Sequence, residues 1–164
     1  MTSPRSINFV LNGKATSFAS EPRQSLADIL RGLGLTGTHL GCEHGVCGAC
    51  TILLDSVAVR GCLMLAVQAE GADITTIEGI SPPSGLSKLQ ECFRTQHALQ
   101  CGFCTPGMVL ALHSLFVRNP EATEKDIREA ISGNLCRCTG YQPIVAAALE
   151  YRRYLNDAKL QRQL

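Results

Sequence analysis

The chain has 164 residues, and its 15 basic residues are nearly balanced by 14 acidic ones, so no charge bias points to nucleic acid or a membrane surface. Aromatic residues make up 5% of the chain and tryptophan is absent, which argues against base-stacking platforms. No stretch approaches the roughly 18 apolar residues of a membrane helix, and the polar start lacks a signal-peptide pattern. We therefore expect a cytoplasmic protein with one ordinary domain or two small ones.

The first half of the chain predicts a small α+β unit. Alternating apolar residues predict the first strand, and Asn12–Gly13 is a hairpin signal because both residue types tolerate positive φ. Ser25 and Asp28 have the spacing of a helix N-cap, and the apolar stripe that follows is predicted to end near Gly32 or Gly34. The predicted strands cover residues 7–11, 14–18, 51–54, 57–59 and 74–77.

A stretch rich in Gly, Pro and Ser follows at residues 78–85. Its two adjacent prolines interrupt both helix and sheet, so no regular element is expected there. We place a domain boundary in this stretch, with residues 1–80 in the first domain and residues 81–164 in the second.

The second half predicts four helices joined by short turns, which is typical of a small bundle. One helix is expected to begin with Thr105 as its N-cap and Pro106 at its first position, because proline is favoured there. The next has the capping pattern of Thr123 and Asp126. The four predicted helices cover about 87–96, 106–118, 124–132 and 142–156.

Eight of the nine cysteines fall into two groups, one in each half of the chain. The first group has the C-x4-C-x2-C spacing of a plant-type [2Fe–2S] ferredoxin, with a fourth cysteine after eleven residues. Interleaved glycines let backbone amides approach the cluster sulfurs, whereas zinc favours C-x2-C knuckles or Cys/His mixtures. His44 is interpreted as a surface residue, because four thiolates suffice. The group consists of Cys42, Cys47, Cys50 and Cys62.

The second group combines a C-x2-C pair at the start of a helix with a C-x-C pair between the last two helices. Loops at one end of a bundle can bring four such thiolates together, but the spacing by itself leaves zinc and an iron–sulfur cluster equally open. Cys92 has no partner pattern and is interpreted as a small buried apolar residue. The group consists of Cys101, Cys104, Cys136 and Cys138.

Three longer motifs around these cysteines, at 41–51, 100–107 and 133–141, resemble the iron–sulfur small subunit of the xanthine oxidase family of molybdenum hydroxylases. Carbon monoxide dehydrogenase small subunits look similar. The resemblance covers almost the whole chain. It implies an N-terminal β-grasp domain of the plant-type ferredoxin kind, followed by a C-terminal four-helix-bundle domain. Each domain would hold one [2Fe–2S] cluster, which favours iron at the second group. The motif sequences are GCEHGVCGACT, QCGFCTPG and GNLCRCTGY.

The resemblance also implies an electron path through partner subunits. Electrons would leave a molybdenum–pterin cofactor, molybdopterin cytosine dinucleotide, in a large subunit, and pass through the helical-domain and then the plant-type cluster to FAD in a medium subunit. A heterotrimer or a dimer of heterotrimers is implied, and the chain is not catalytic alone. Gln100 matches a residue that hydrogen-bonds the pterin in similar proteins, and Cys138 matches the cluster ligand beside that cofactor.

One position departs from the family pattern. Ser56 stands where similar chains often place glycine in a turn between strands, which predicts backbone strain or a shifted turn type but touches no ligand.

Two other functions stay open on the residues alone. One is a free-standing two-cluster ferredoxin, and the other is a structural adaptor held by zinc. A free shuttle usually has a strong charge bias for docking, which this nearly neutral chain lacks. The chain also has no glycine-rich dinucleotide fingerprint, so FAD is expected in a partner.

Overall fold

The structure, a computed structural model that describes residues 3–161, begins with a β-hairpin. Strand β1 (Arg5–Leu11) pairs antiparallel with β2 (Lys14–Ser20). Every second side chain of β1 from residue 7 onward is buried, because only one face of the hairpin covers the core. Asn12 and Gly13 form the turn with φ of 50° and 77°, as their residue types predict.

Three shorter strands complete a mixed five-stranded sheet. β3 (Thr51–Leu54) and β4 (Val57–Arg60) form a second hairpin at the residues predicted for it. β5 (Asp73–Thr75) lies between β1 and β3, parallel to the first and antiparallel to the second, so the strand order is β2-β1-β5-β3-β4. The predicted α+β class is confirmed.

Helix α1 (Leu26–Gly32) covers the buried face of this sheet. The Ser25 side chain accepts a hydrogen bond from the Asp28 amide, so the predicted N-cap is confirmed. A short 3-10 turn over Ala66–Ala69, which the sequence analysis did not predict, contributes two buried alanines. The core of this half consists of Ile7, Phe9, Leu11, Leu26, Ile29, Leu30, Ile52, Ala66, Ala69 and Ile74.

Helix α2 (Ile77–Ile80) is a single turn where the sequence predicted the end of a strand and then an irregular break, so that prediction was wrong. A long-range contact accounts for the difference. The Thr76 amide donates to Asn12 Oδ1 at 2.9 Å, and Asn12 Nδ2 donates to Thr76 Oγ1 at 3.0 Å, which ends β5. Gly79 allows this approach, since a Cβ there would lie 2.1 Å from Asn12 Oδ1.

Four longer helices follow. α3 contacts α6 and α4, α4 contacts α5, and α5 contacts α6. The Thr123 side chain caps α5 as predicted, and α6 continues beyond its predicted end. Despite the length of α6, none of the helices in the described part of the chain could cross a membrane. The helices are α3 (Lys88–Thr95), α4 (Thr105–Arg118), α5 (Glu124–Ile131) and α6 (Gln142–Gln161).

Helix α4 begins one residue earlier than predicted. Cys104 is its N-cap, Thr105 is its first helical residue and Pro106 its second. Proline fits there because the first amides of a helix have no intrahelical acceptor to lose. Because the helix starts early, Cys104 lies directly at the N-terminus of α4.

The helices enclose a second hydrophobic core. Cys92 is fully buried in this core, which agrees with its interpretation as a small apolar residue. The side chains of Ile77 and Ile80 of α2 pack against the edge of the core. Its buried members are Leu89, Cys92, Phe93, Ala98, Met108, Val109, Leu112, Phe116, Ala122, Ile127, Ile131, Ile144, Val145, Ala147 and Ala148.

The two cores meet where α4 packs against β3 and β4. Ser114 of α4 is buried, and its hydroxyl donates to the Ser56 carbonyl at 2.9 Å and accepts from the Ala58 amide at 3.2 Å. These bonds fasten the helix to the β3–β4 turn. In that turn Asp55 and Ser56 both have positive φ, of 48° and 67°, which is the conformation that favours glycine.

We expect Ser56→Gly to raise the free energy of unfolding by about 1 kcal/mol, because glycine adopts this conformation without the Cβ penalty. The Ser114 hydrogen bonds go to backbone atoms and remain available in the variant. Denaturant unfolding of the purified chain measures the change. Gly13→Ala is the matched control: its φ is 77° and nothing lies within 4 Å of a new Cβ, so only strain is added and stability should fall. An unchanged or lower stability for Ser56→Gly would contradict the expectation.

Candidate iron–sulfur sites

The first cysteine group lies on the irregular loop between α1 and β3 and on the segment after β4. The loop wraps tightly because Glu43, Gly45 and Gly48 adopt positive φ, of 56°, 83° and 74°. The segment with Cys62 is fastened beside the loop by the Gly61 amide, which donates to the Cys50 carbonyl at 3.1 Å. All four predicted cysteines are thereby brought into one region.

Within this region the cysteines form two pairs of neighbours. The Cys47 amide donates to Cys42 Sγ at 3.3 Å. Cys50 and Cys62 are the second pair, brought together by the bond from the Gly61 amide to the Cys50 carbonyl. His44 is exposed, as expected of a surface residue, and its ring contacts the Cys42 carbonyl.

The environment of the two pairs differs. Backbone amides of His44 and Cys47 point at Cys42 and lower its thiol pKa to about 6, which favours a thiolate. Burial raises the pKa of Cys50 to about 11. A buried thiol of this kind becomes a thiolate only when a cation compensates the lost solvation, and a bound iron supplies that charge.

The second cysteine group gathers at one end of the helices. Cys104 caps α4, with Cys101 in the turn before it, and the other two cysteines lie between α5 and α6. The Sγ atoms of Cys101 and Cys138 are 3.6 Å apart. Cys136 is a neighbour of Cys104 and adds to the larger effect of burial on the pKa of that thiol. Burial raises the Cys104 pKa to about 12. This group is therefore also two pairs of thiols.

Two residues that the sequence analysis did not single out support this second group. The Cys136 amide donates to the Tyr141 hydroxyl at 3.0 Å, and the Thr139 amide donates to Cys136 Sγ at 3.5 Å. Thr139 Oγ1 lies 3.1 Å from the same sulfur. Both residues belong to the GNLCRCTGY motif, so their presence in it was the available signal.

The arrangement of the cysteines is compatible with the cluster that the resemblance implies. Among residues 3–161, no group of three or more His, Cys, Asp or Glu side chains is placed to hold a single metal ion. A [2Fe–2S] cluster needs two ligands at each of its irons. Neighbouring thiols with amides directed at their sulfurs, as at Cys42 and Cys136, fit that requirement.

The two pairs of the helical site differ in exposure. Cys101 and Cys138 are exposed, while Cys104 and Cys136 lie deeper. Gln100 is exposed directly before Cys101, so the predicted pterin-binding residue and the outer thiol pair share one surface. The two cysteine regions are joined by a backbone hydrogen bond, in which the Leu135 amide donates to the Cys47 carbonyl at 2.8 Å.

Comparison with known proteins finds an iron–sulfur family for each half of the chain. Residues 9–75 match the family of 2Fe-2S iron-sulfur cluster binding domains, and residues 76–149 match the [2Fe-2S] binding domain family. The chain is 54% identical over 145 residues to the nicotine 6-hydroxylase small subunit of Paenarthrobacter nicotinovorans, covering 88% of this chain and 87% of that one. It is 52% identical over 145 residues to caffeine dehydrogenase subunit gamma of Pseudomonas sp. strain CBB1, covering 86% and 87%.

A solved structure matches equally well. A chain of quinoline 2-oxidoreductase from Pseudomonas putida 86 superimposes with a TM-score of 0.91 at 49% identity, covering 95% of this chain and 98% of that one. The chain therefore belongs to the iron–sulfur small subunits of the xanthine oxidase family of molybdenum hydroxylases, as its three motifs indicated. Proteins of this family are electron-transfer subunits of oxidoreductase complexes, with two [2Fe–2S] clusters of their own and molybdenum and FAD in partners.

We expect Cys42→Ser to lower the iron content of the anaerobically purified chain by about half, because each site holds one cluster. Iron analysis with an electron paramagnetic resonance (EPR) spectrum of the reduced chain measures which site is lost. Cys92→Ala is the matched control: this thiol is buried in the helical core and belongs to neither cysteine group, so the iron content should not change. Loss of both clusters from Cys42→Ser would contradict the division into two sites.

Proposed function

We propose that this chain relays single electrons from a molybdenum–pterin centre in a large partner subunit to FAD in a medium partner subunit. The observation that carries the proposal is the backbone contact between the two cysteine regions, one of which has an exposed thiol pair. When bound, each [2Fe–2S] cluster supplies a one-electron acceptor and donor. The chain's own residues hold, space and shield those two centres.

The proposed ligands are the paired cysteines. Amides that donate to their sulfurs, such as that of Cys47 toward Cys42 Sγ, stabilise the added negative charge of the reduced site and so raise its potential. Thr139 has the same arrangement toward Cys136. The complete set is Cys42, Cys47, Cys50 and Cys62 at the first site and Cys101, Cys104, Cys136 and Cys138 at the second.

We assign electron uptake to the exposed surface of the helical site. Gln100 and the thiols of Cys101 and Cys138 lie there within reach of a partner. In this assignment the Gln100 side chain hydrogen-bonds the pterin of a molybdopterin cytosine dinucleotide, and Cys138 is the nearest cluster ligand to it. The exposed position supports the assignment, because a group that docks with a partner must be accessible in the separate chain.

We assign electron release to the first site. Val46 and Leu63, each next to a cysteine of that site, are 57% and 61% exposed. Large apolar side chains left in water beside a redox centre favour coverage by a partner. In this assignment the FAD-binding medium subunit covers them.

The proposed architecture follows from the same division. Residues 1–80 would form a β-grasp domain of the plant-type ferredoxin kind and residues 81–164 a four-helix bundle of α3, α4, α5 and α6. The separate hydrophobic cores and the pairwise helix contacts support it. The assembly would be a heterotrimer or a dimer of heterotrimers, located in the cytoplasm.

The first test is metal analysis of the chain purified without air. We expect about four irons per chain, no stoichiometric zinc, and two distinct EPR signals after reduction with dithionite. Without its partners the chain should oxidise no substrate. Zinc in place of iron would favour the alternative of a structural adaptor held by zinc. Full activity as a soluble electron shuttle without partners would favour the alternative of a free-standing ferredoxin.

A second test addresses the uptake surface. We expect Gln100→Ala to slow reduction of the helical site by substrate in the assembled complex by roughly threefold to tenfold, the effect of one lost hydrogen bond. Rapid-freeze EPR measures the rate, and the iron content should not change. Gln161→Ala, an exposed glutamine at the far end of α6, is the matched control. Equal rates for the two variants would remove Gln100 from the pterin contact.

A further inference from the structure

Asn134 is the buried polar side chain at the centre of the contact between the two cysteine regions, and it is only 2% exposed. Its Nδ2 donates to the Gly48 carbonyl at 3.0 Å and to Thr51 Oγ1 at 3.2 Å. Its Oδ1 accepts from the Arg60 guanidinium at 3.3 Å. Every polar atom of the amide group thus has a partner in the N-terminal half of the chain.

Arg60, at the end of β4, completes this arrangement from the other side. One guanidinium nitrogen donates to Thr51 Oγ1 at 2.5 Å, and another donates to the Gly133 carbonyl at 2.6 Å. A planar guanidinium bonds several acceptors in fixed directions, so it sets orientation as well as distance. Arg60 therefore holds the backbone before Asn134 against the strand that follows the first cysteine loop.

Glycines bring the two halves into backbone contact at the same place. A Cβ at Gly48 would lie 2.5 Å from the Gly133 carbonyl oxygen, and a Cβ at Gly107 of α4 would lie 2.4 Å from the Gly48 carbonyl oxygen. Neither position accepts a larger side chain unless the halves move apart. The separation between the two halves is thus set by backbone atoms in van der Waals contact.

We propose that the five residues Gly48, Thr51, Arg60, Gly107 and Asn134, which we name the interloop lock, fix the spacing between the two clusters, and that Asn134 is a positioning residue for electron transfer between them. The proposal rests on the electron-relay function proposed above. In the transfer, one electron leaves the helical site and enters the first site, and no bond forms or breaks.

The place of the lock in the chain explains why it would control the spacing. Gly48 directly follows the ligand Cys47, and Asn134 precedes the ligand Cys136 by two residues. A shift between Gly48 and Asn134 therefore moves ligands of both sites relative to each other. Apolar contacts would also hold the two halves together. Directional hydrogen bonds to buried partners additionally select one relative position of the halves.

The test uses the full chain with both clusters reduced, and its readout is the magnetic interaction between them in EPR. We expect the Asn134→Ala variant to contain as much iron as the unchanged chain. Its spin–spin splitting or broadening should be weaker. Reduction of the first site through the helical site in the assembled complex should also slow, because electron transfer becomes slower as the two centres move apart. Asn134→Asp should not restore the unchanged behaviour, since a carboxylate cannot donate to the Gly48 carbonyl.

Gly107→Ala tests the same spacing without removing any polar group. Its Cβ would lie 2.4 Å from the Gly48 carbonyl oxygen and 3.0 Å from Asn134 Nδ2, so it should push α4 and Asn134 away from Gly48 and weaken the magnetic interaction as in Asn134→Ala. Gly32→Ala is the matched control, because this exposed glycine near the end of α1 has nothing within 4 Å of a new Cβ. It should leave the interaction unchanged.

The outcomes separate this proposal from the function on which it rests. Chains with full iron and unchanged magnetic interaction in both Asn134→Ala and Gly107→Ala would overturn the positioning role while leaving the relay intact. Loss of one cluster in both variants would also overturn it, since the residues would then serve only to fold a ligand loop. If the unchanged chain itself holds no iron, the proposed function fails instead.

Discussion

The hydrogen bond between the Asn134 side-chain amide and the Gly48 carbonyl joins the two halves of this protein where each carries a group of cysteines. An amide buried to this extent costs free energy unless each of its polar atoms is bonded. Asn134 meets that condition only when the halves are correctly docked, because its partners all come from the other half of the chain. The same constraint that stabilises the docked arrangement therefore also specifies it.

The rest of the molecule is consistent with that constraint. Each half has its own apolar core, but small domains of this size bury little surface, and a bound metal group commonly contributes to their stability. Burial raises the pKa values of the Cys50 and Cys104 thiols, and a bound iron would compensate the charge of their thiolates.

The cysteines of the helical group differ in exposure. Cys101 and Cys138 are exposed, whereas Cys104 and Cys136 are partly buried. The Leu135 amide, one residue before Cys136, bonds the Cys47 carbonyl directly. The chain therefore presents two helical cysteines at its surface and joins the loops of the two groups by a backbone hydrogen bond.

Much of this was determined by the sequence itself. Alternation along β1 and the capping patterns of Ser25 and Thr123 predicted their elements because these are local signals of side-chain period and hydrogen bonding. Cysteine spacing predicted the first site, since a tight loop around a cluster needs a fixed number of residues between ligands. The three motifs then identified the family and, through it, predicted the second site.

Tertiary structure decided what depends on contacts between distant residues. The helix turn at 77–80 follows from the bonds between Asn12 and Thr76, which are far apart in the chain. The approach of Cys101 to Cys138 requires loops from different elements to meet. The bonds of Asn134 and Arg60 had no local signal at all, because a buried hydrogen bond across two halves exists only once both have folded and docked.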